Sequence, residues 1–229
     1  MDERLALILA NGEIGDLPVL RARLAERSPD IVIAADGGAR HASLLRLHLD
    51  ALIGDFDSIS PEDTTRLASS GAELVRRPPD KDETDLELAL LHAFERGADQ
   101  VIVVGVAGGR IEMTIANVLL LLHPALTGRR ISLWVGGQTA YLQLPPGGEI
   151  LGTVGDTVSL IPLSGEAQGV TTHGLAFPLD GETLTSGPAR GVSNRITEGG
   201  ARVELAAGAL FVVHTPQEDL PGRSKLPGS

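Results

Sequence analysis

Residues 51–58, Ala51-Leu52-Ile53-Gly54-Asp55-Phe56-Asp57-Ser58, join a short apolar run to two carboxylates separated by one aromatic residue. In an extended segment, residues two apart project to the same side, so Asp55 and Asp57 address one space while Phe56 turns away to pack. Two like charges held that close repel, and a pair facing a shared space normally needs a cation. Magnesium suits such a pair, because it takes oxygen ligands and shares its octahedral shell with water and substrate phosphates. A solvated acidic turn is the bland alternative.

The pattern recurs on both sides of this stretch. The run Ile31 to Ala35 leads into Asp36-Gly37-Gly38, and Glu73 to Val75 is followed by Asp80-Lys81-Asp82-Glu83-Thr84-Asp85. Acids at three successive strand ends of one sheet would converge on a single rim, which is where ligands bind in open α/β folds. The paired glycines allow close approach to a ligand, and the helical stretch behind them favours an anion, although strand–helix corners also use glycine for steric reasons alone. In the third segment Thr84 or Asp82 serves as a helix cap and the acids suit the helix dipole, yet four acids exceed what capping requires. Lys81 adds a phosphate-facing cation. A fourth segment, Gly108-Gly109-Arg110-Ile111-Glu112-Met113, offers a guanidinium suited to phosphate oxygens and another carboxylate; a surface Arg–Glu pair is its alternative.

Further outward, the apolar runs Leu5 to Leu9, Val101 to Gly105 and Ile131 to Val135 continue the series and alternate with helical patterns. Such alternation predicts a parallel sheet covered on both faces. The clearest helix follows Thr84, with Leu86, Ala89, Leu90, Ala93 and Phe94 at helical spacing and Gly97 as its stop. Another starts near Thr114, with Ile115, Val118, Leu119 and Leu122 on one face, and ends before Pro124. Beyond Gly136 the texture changes to short strand-like pieces punctuated by Gly and Pro. The expectation is an α/β domain over residues 1–136 with a parallel sheet, a smaller all-β sandwich over 137–214, and a disordered tail over 215–229. The second part read as a β-rich extension of the first is the alternative.

Composition narrows the function. With 42% hydrophobic residues, the 229-residue chain can bury a real core. A net charge of -11 without a Lys/Arg cluster disfavours a nucleic-acid surface. The absence of cysteine excludes disulfides, zinc–thiolate sites and thiol nucleophiles. No stretch is long enough to span a membrane, and the acidic start with its short apolar run is no signal peptide, so a cytoplasmic protein is expected. There is no P-loop, no GxGxxG and no GxSxG. The six histidines, His41, His48, His92, His123, His173 and His214, lack metal-ligand spacing and are expected on surfaces or at helix ends.

Taken in order, the ADGGA, GDFDS, DKDETD and GGR segments resemble the thiamine pyrophosphokinase family, and the downstream GVTTHGLAFPL and GVSNR segments resemble its C-terminal β domain. The resemblance covers nearly the whole chain except the tail. It implies a homodimer with the vitamin near the subunit interface, and transfer of diphosphate from ATP to the thiamine hydroxyl with release of AMP. Asp55, Asp57 and Asp82 or Asp85 would hold Mg2+ against the triphosphate. Asp36, Gly37, Gly38, Lys81, Thr84, Gly109 and Arg110 would line the ATP side, and Ser193 and Asn194 would face thiamine. The family's fourth motif usually ends Asp-His where this chain has Glu112 and Met113. A lost general base would cost about 10²–10⁴ in rate, a lost orienting contact nearer ~1 kcal/mol. That departure leaves open another acceptor, such as a hydroxymethyl pterin, or a non-catalytic homologue that binds ATP or thiamine. With Trp134 the lone tryptophan, stacking on the vitamin is expected from a nonaromatic wall or the other subunit.

Overall fold

A computed structural model describes residues 3–219, which divide between Gly136 and Gly137 into two compact units. The first runs β1 (Leu5–Leu9), α1 (Leu17–Glu26), β2 (Ile31–Ala35), α2 (Ala39–Leu45), β3 (Ala51–Gly54), α3 (Pro61–Ser69), β4 (Glu73–Arg76), α4 (Asp85–Glu95), β5 (Gln100–Val104), α5 (Ile111–Leu119) and β6 (Arg130–Val135). Its strands are all parallel, in the order β6-β5-β1-β2-β3-β4. β1, β2 and β5 are buried at every position, which is why their sequences lack polar alternation. β4 is an edge strand and only half-buried at Leu74 and Val75. Chain order reverses between β1 and β5, so their carboxyl ends open the crevice typical of doubly wound sheets.

Helix starts follow their caps. Asp16, Ser60 and Thr84 each accept a backbone N–H at the start of α1, α3 and α4. Leu86, Ala89, Leu90 and Ala93 are the buried face of α4, as their spacing predicts. The helix expected from Thr114 begins earlier, at Ile111, straight out of the Gly108–Gly109 turn and without a side-chain cap. Its regular apolar face points outward: Ile111 is 75% exposed, Ile115 54% and Leu119 47%.

The second unit holds β7 (Gln138–Gln143), β8 (Gly147–Glu149), β9 (Thr157–Pro162), β10 (Glu166–His173), β11 (Glu182–Thr185), β12 (Asn194–Arg195), β13 (Arg202–Glu204) and β14 (Leu210–Thr215). Two antiparallel layers, β12-β9-β14-β7 and β11-β10-β13-β8, enclose one apolar core that includes Val158, Leu160, Val170, Leu184, Val203 and Val212. The unit is a β-sandwich. Thr215 still pairs with Thr157, and Gln217–Asp219 form a 3-10 turn, so the tail expected from 215 is ordered through 219. Its remainder lies outside the described residues. Asp156 secures the chain here: its carboxylate accepts from the backbone amides of Thr153 (2.8 Å) and Gln217 (2.9 Å), and His214 Nε2 lies 2.8 Å away.

Two histidines depart from expectation. His41 is buried within α2, its Nε2 2.9 Å from Gly12 O, and His214 sits in β14 against Asp156. Both trade solvent for a specific acceptor, a choice that a lone His in a helical or strand pattern does not advertise.

Candidate active site at the strand-end rim

The loops after β1, β2 and β5 and the start of α4 surround a cleft of about 440 Å³ at the switch point. Asp36 enters it from the end of β2. The residue is buried in a left-handed conformation (φ 43°), and its Oδ1 has no hydrogen-bond partner. A buried carboxylate oxygen left bare costs free energy unless something positive meets it. Asp55 and Asp57 supply the rest of an acidic group: the three carboxylates offer ligand oxygens within 4.8 Å of one another. That arrangement fits a hard divalent cation.

Asp55 and Asp57 come together by a different route from the one their spacing suggests. The segment is a turn, with Phe56 left-handed at φ 68° and the Asp57 amide donating to Asp55 Oδ1 at 3.0 Å. Phe56 does pack inward, buried in the core with the Arg76 guanidinium 4.9 Å from its ring centre. Ser58 Oγ donates to Asp57 Oδ1 at 2.9 Å, orienting that carboxylate. Gly54 makes the meeting with Asp36 possible. A Cβ at 54 would stand 3.0 Å from Asp36 Cβ, on a backbone with φ 153°.

The third acidic segment divides. Asp85, the first residue of α4, pairs with Lys81 at 2.9 Å, and both are largely covered. Burial pushes the Asp85 carboxyl above its ordinary value, Lys81 pulls it back, and the charges of Asp36 and Asp55 add to the rise. Asp85 therefore belongs electrostatically to the acidic group. Asp80 and Asp82 are exposed, and Asp82 lies outside both the acidic group and the cleft wall. Thr84 lines the cleft with its hydroxyl committed to the Glu87 amide (3.1 Å).

Gly37 and Gly38 are buried, and the chain itself fills their open side: a Cβ at 38 would meet Leu9 O at 2.0 Å, and one at 37 the Asn11 amide at 2.6 Å. Their smallness packs β1 against β2. On the far side of the cleft, Gly109 and Arg110 are exposed at the start of α5, whose N-cap residue makes no side-chain cap bond and whose dipole favours anions. Arg110 Nε donates to Glu112 Oε1 at 2.5 Å. The Glu112 backbone amide and Arg110 hold the Glu112 carboxyl below its ordinary value. Met113 lines the cleft, and Asn117 pins α5 to the β5 loop through Val106 O at 2.9 Å.

In the β-sandwich, Ser193 is exposed in a left-handed turn (φ 57°), its amide donating to Ser159 Oγ. Asn194 turns inward and is buried. Its Oδ1 accepts from the Phe177 and Arg195 amides, and its Nδ2 donates to Phe177 O at 2.7 Å. What it presents outward is Phe177, 63% exposed. Sequence reasoning passed over Phe177, Asn11 and Arg40. Asn11-Gly12 directly after an apolar run was the available signal for the β1 loop.

A doubly wound sheet with acids at its switch-point cleft, followed by a β-sandwich, defines a two-unit protein whose α/β unit is built to bind a ligand at its strand ends. Residues 22–133 match the family described as "Thiamin pyrophosphokinase, catalytic domain" and residues 147–210 that described as "Thiamin pyrophosphokinase, vitamin B1 binding domain". The thiamine pyrophosphokinase of Bacillus subtilis (strain 168) is 29% identical over 164 residues, 71% of this chain and 76% of that protein. Thiamine pyrophosphokinase 1 of Oryza sativa subsp. japonica is 29% identical over 180 residues, 74% and 67% of the two chains. The crystal structure of the Bacillus subtilis enzyme has a TM-score of 0.81 at 24% identity, covering 93% of this chain and 99% of that one. The yeast enzyme shares the fold, with a TM-score of 0.76 at 15% identity over 93% and 86% of the chains. The chain belongs to the thiamin pyrophosphokinase family.

Proposed function

We propose that this protein transfers an intact diphosphate from ATP to the hydroxyl of thiamine, releasing AMP. The observation that carries this reading is the group formed by Asp36, Asp55 and Asp57 at the switch-point rim. Asp55 and Asp57, with Asp36 beside them, would hold Mg2+, and Asp85 neighbours them with Lys81 balancing its charge. Bound magnesium would neutralise charge on the phosphate oxygens. Arg110 and the first turn of α5, where Glu112 now sits, would receive phosphate oxygens in its place, steadying charge that develops on the departing AMP. The thiamine hydroxyl oxygen bonds to the β-phosphorus and its proton passes to solvent, the bond from that phosphorus to the α,β-bridging oxygen breaks, and AMP leaves with the bridging oxygen and its electron pair. The acidic surroundings favour a cationic thiazolium. The match of residues 147–210 to a vitamin B1 binding domain supports thiamine as the acceptor, and neither a pterin alcohol nor a non-catalytic homologue gains comparable support. Phe177 and Ser193 are the exposed groups of the sandwich suited to meet it, the ring by stacking and the hydroxyl by hydrogen bonding.

The apolar face of α5 supports a homodimer, since exposed Ile111, Ile115 and Leu119 suit burial against a second subunit. Among the described residues no helix is long and apolar enough to cross a membrane. A cytoplasmic location is part of the same proposal.

The test is AMP formation from ATP and Mg2+ with and without thiamine, beside an Asp55→Ala, Asp57→Ala variant. Thiamine-dependent AMP that disappears in the variant is expected. Measurable binding of ATP and thiamine without AMP would overturn the reading.

A further inference from the structure

The loop after β1 is held from both sides. On one, Gly12 N donates to Gly105 O and Glu13 N to Ala107 O, each at 2.7 Å, which ties it to the loop after β5. On the other stands Arg40, in the first turn of α2. Its Nη2 donates to Asn11 O (2.7 Å) and Gly12 O (3.1 Å), and its Nη1 donates to Gly37 O (3.0 Å) and to the Asn11 side-chain oxygen. Both terminal nitrogens of the guanidinium are thus spent on oxygens of two different loops. A planar fork can span such acceptors, whereas the single nitrogen of a lysine cannot. Gly37 directly follows Asp36, and the β5 loop leads into Gly109 and Arg110. The Asn11-Gly12 segment therefore links the acidic side of the cleft to its phosphate side, with Arg40 as the clasp.

We propose that Arg40, although it forms part of the cleft wall, acts as a positioning residue: through Asn11 and Gly12 it sets the spacing between Asp36 after β2 and the arginine loop after β5, rather than holding substrate. The proposal rests on the diphosphate-transfer reading of the site. Misplacement of reacting groups by about 1 Å costs ~10²-fold in rate, so the clasp should act on turnover more than on binding.

The test compares full-length wild type, Arg40→Met, which keeps the stem and removes the fork, and Arg40→Lys. Steady-state kinetics with ATP, Mg2+ and thiamine are measured alongside amide hydrogen exchange at Gly12 and Glu13. Expected for Arg40→Met is a kcat lowered roughly 10- to 100-fold, with little change in either KM and with faster exchange at both amides. Lysine should not restore kcat. If Arg40→Met does not fold, Arg40→Lys carries the same comparison. A raised KM for ATP with kcat retained would overturn the proposal and make Arg40 a substrate contact; full rescue by lysine would overturn the role of the fork. If wild type forms no thiamine-dependent AMP, the diphosphate-transfer reading fails separately. Amide exchange then decides the clasp, and unchanged protection in Arg40→Met overturns it.

Discussion

Met113 stands in the cleft wall with a side chain that neither donates a hydrogen bond nor carries a proton, and the neighbouring Glu112 is engaged by Arg110. Replacing both, Glu112→Asp with Met113→His, is expected to raise kcat in the AMP assay; an unchanged rate would mean that neither position takes part in the chemistry. At this scale the sequence was most legible where residue type and purpose coincide. Asp55 and Asp57 announce themselves because paired acids beside an apolar run have few structural uses. The burial of Asn194 was not legible, since an exposed amide and a buried one that braces a turn look alike in a sequence. Arg40 was silent because an arginine in an amphipathic helix ordinarily marks a solvated face.

Among the elements, the buried strands of the α/β unit were legible from unbroken apolar runs, and α4 from its cap and period. α5 shows the limit: the 3.6-residue period found the helix, but periodicity says which residues share a face, not whether that face is covered. The Asp156 tie in the sandwich was invisible, because two of its partners, His214 and Gln217, lie far from it in sequence. It gives a pH prediction. Burial pushes the Asp156 carboxyl up, but His214 and the amides of Thr153 and Gln217 outweigh it and hold the group below its ordinary value. A depressed folded-state pKa contributes stability that is complete above the unfolded value and lost as pH falls through the folded one. Asp156→Asn should therefore cost roughly 2 kcal/mol in denaturant unfolding at neutral pH. The difference from wild type should shrink on acidification below the unfolded value of 3.8. A deficit independent of pH would assign the loss to shape rather than charge.

For the molecule as a whole, the proposed Mg2+ site at the rim acids bears on stability. Ligand linkage predicts that Mg2+ at a hundred times its dissociation constant stabilises the folded state by about 2.7 kcal/mol, visible as a melting temperature raised by several degrees. An Asp55→Asn, Asp57→Asn variant should melt higher than wild type without the metal and gain nothing from it. If both respond equally, the acids are not the binding site. The change from α/β to all-β texture was legible at this scale because it is a change of composition. The start of the tail was not, since Gln217 is held by a backbone bond to Asp156 that no local pattern encodes.

The central place of β1 has a consequence in time. Ala6 lies opposite both a near neighbour, Ile31 in β2, and a distant one, Val101 in β5. Pairing β1 with β2 closes a short loop, but joining β5 must close one that spans most of the unit, and such long-range closure is slow. The cleft lies across that last seam. During synthesis the acids can emerge and fold into the β2–β3 layer while the arginine loop is still to come, so the site is among the last features of the unit to assemble.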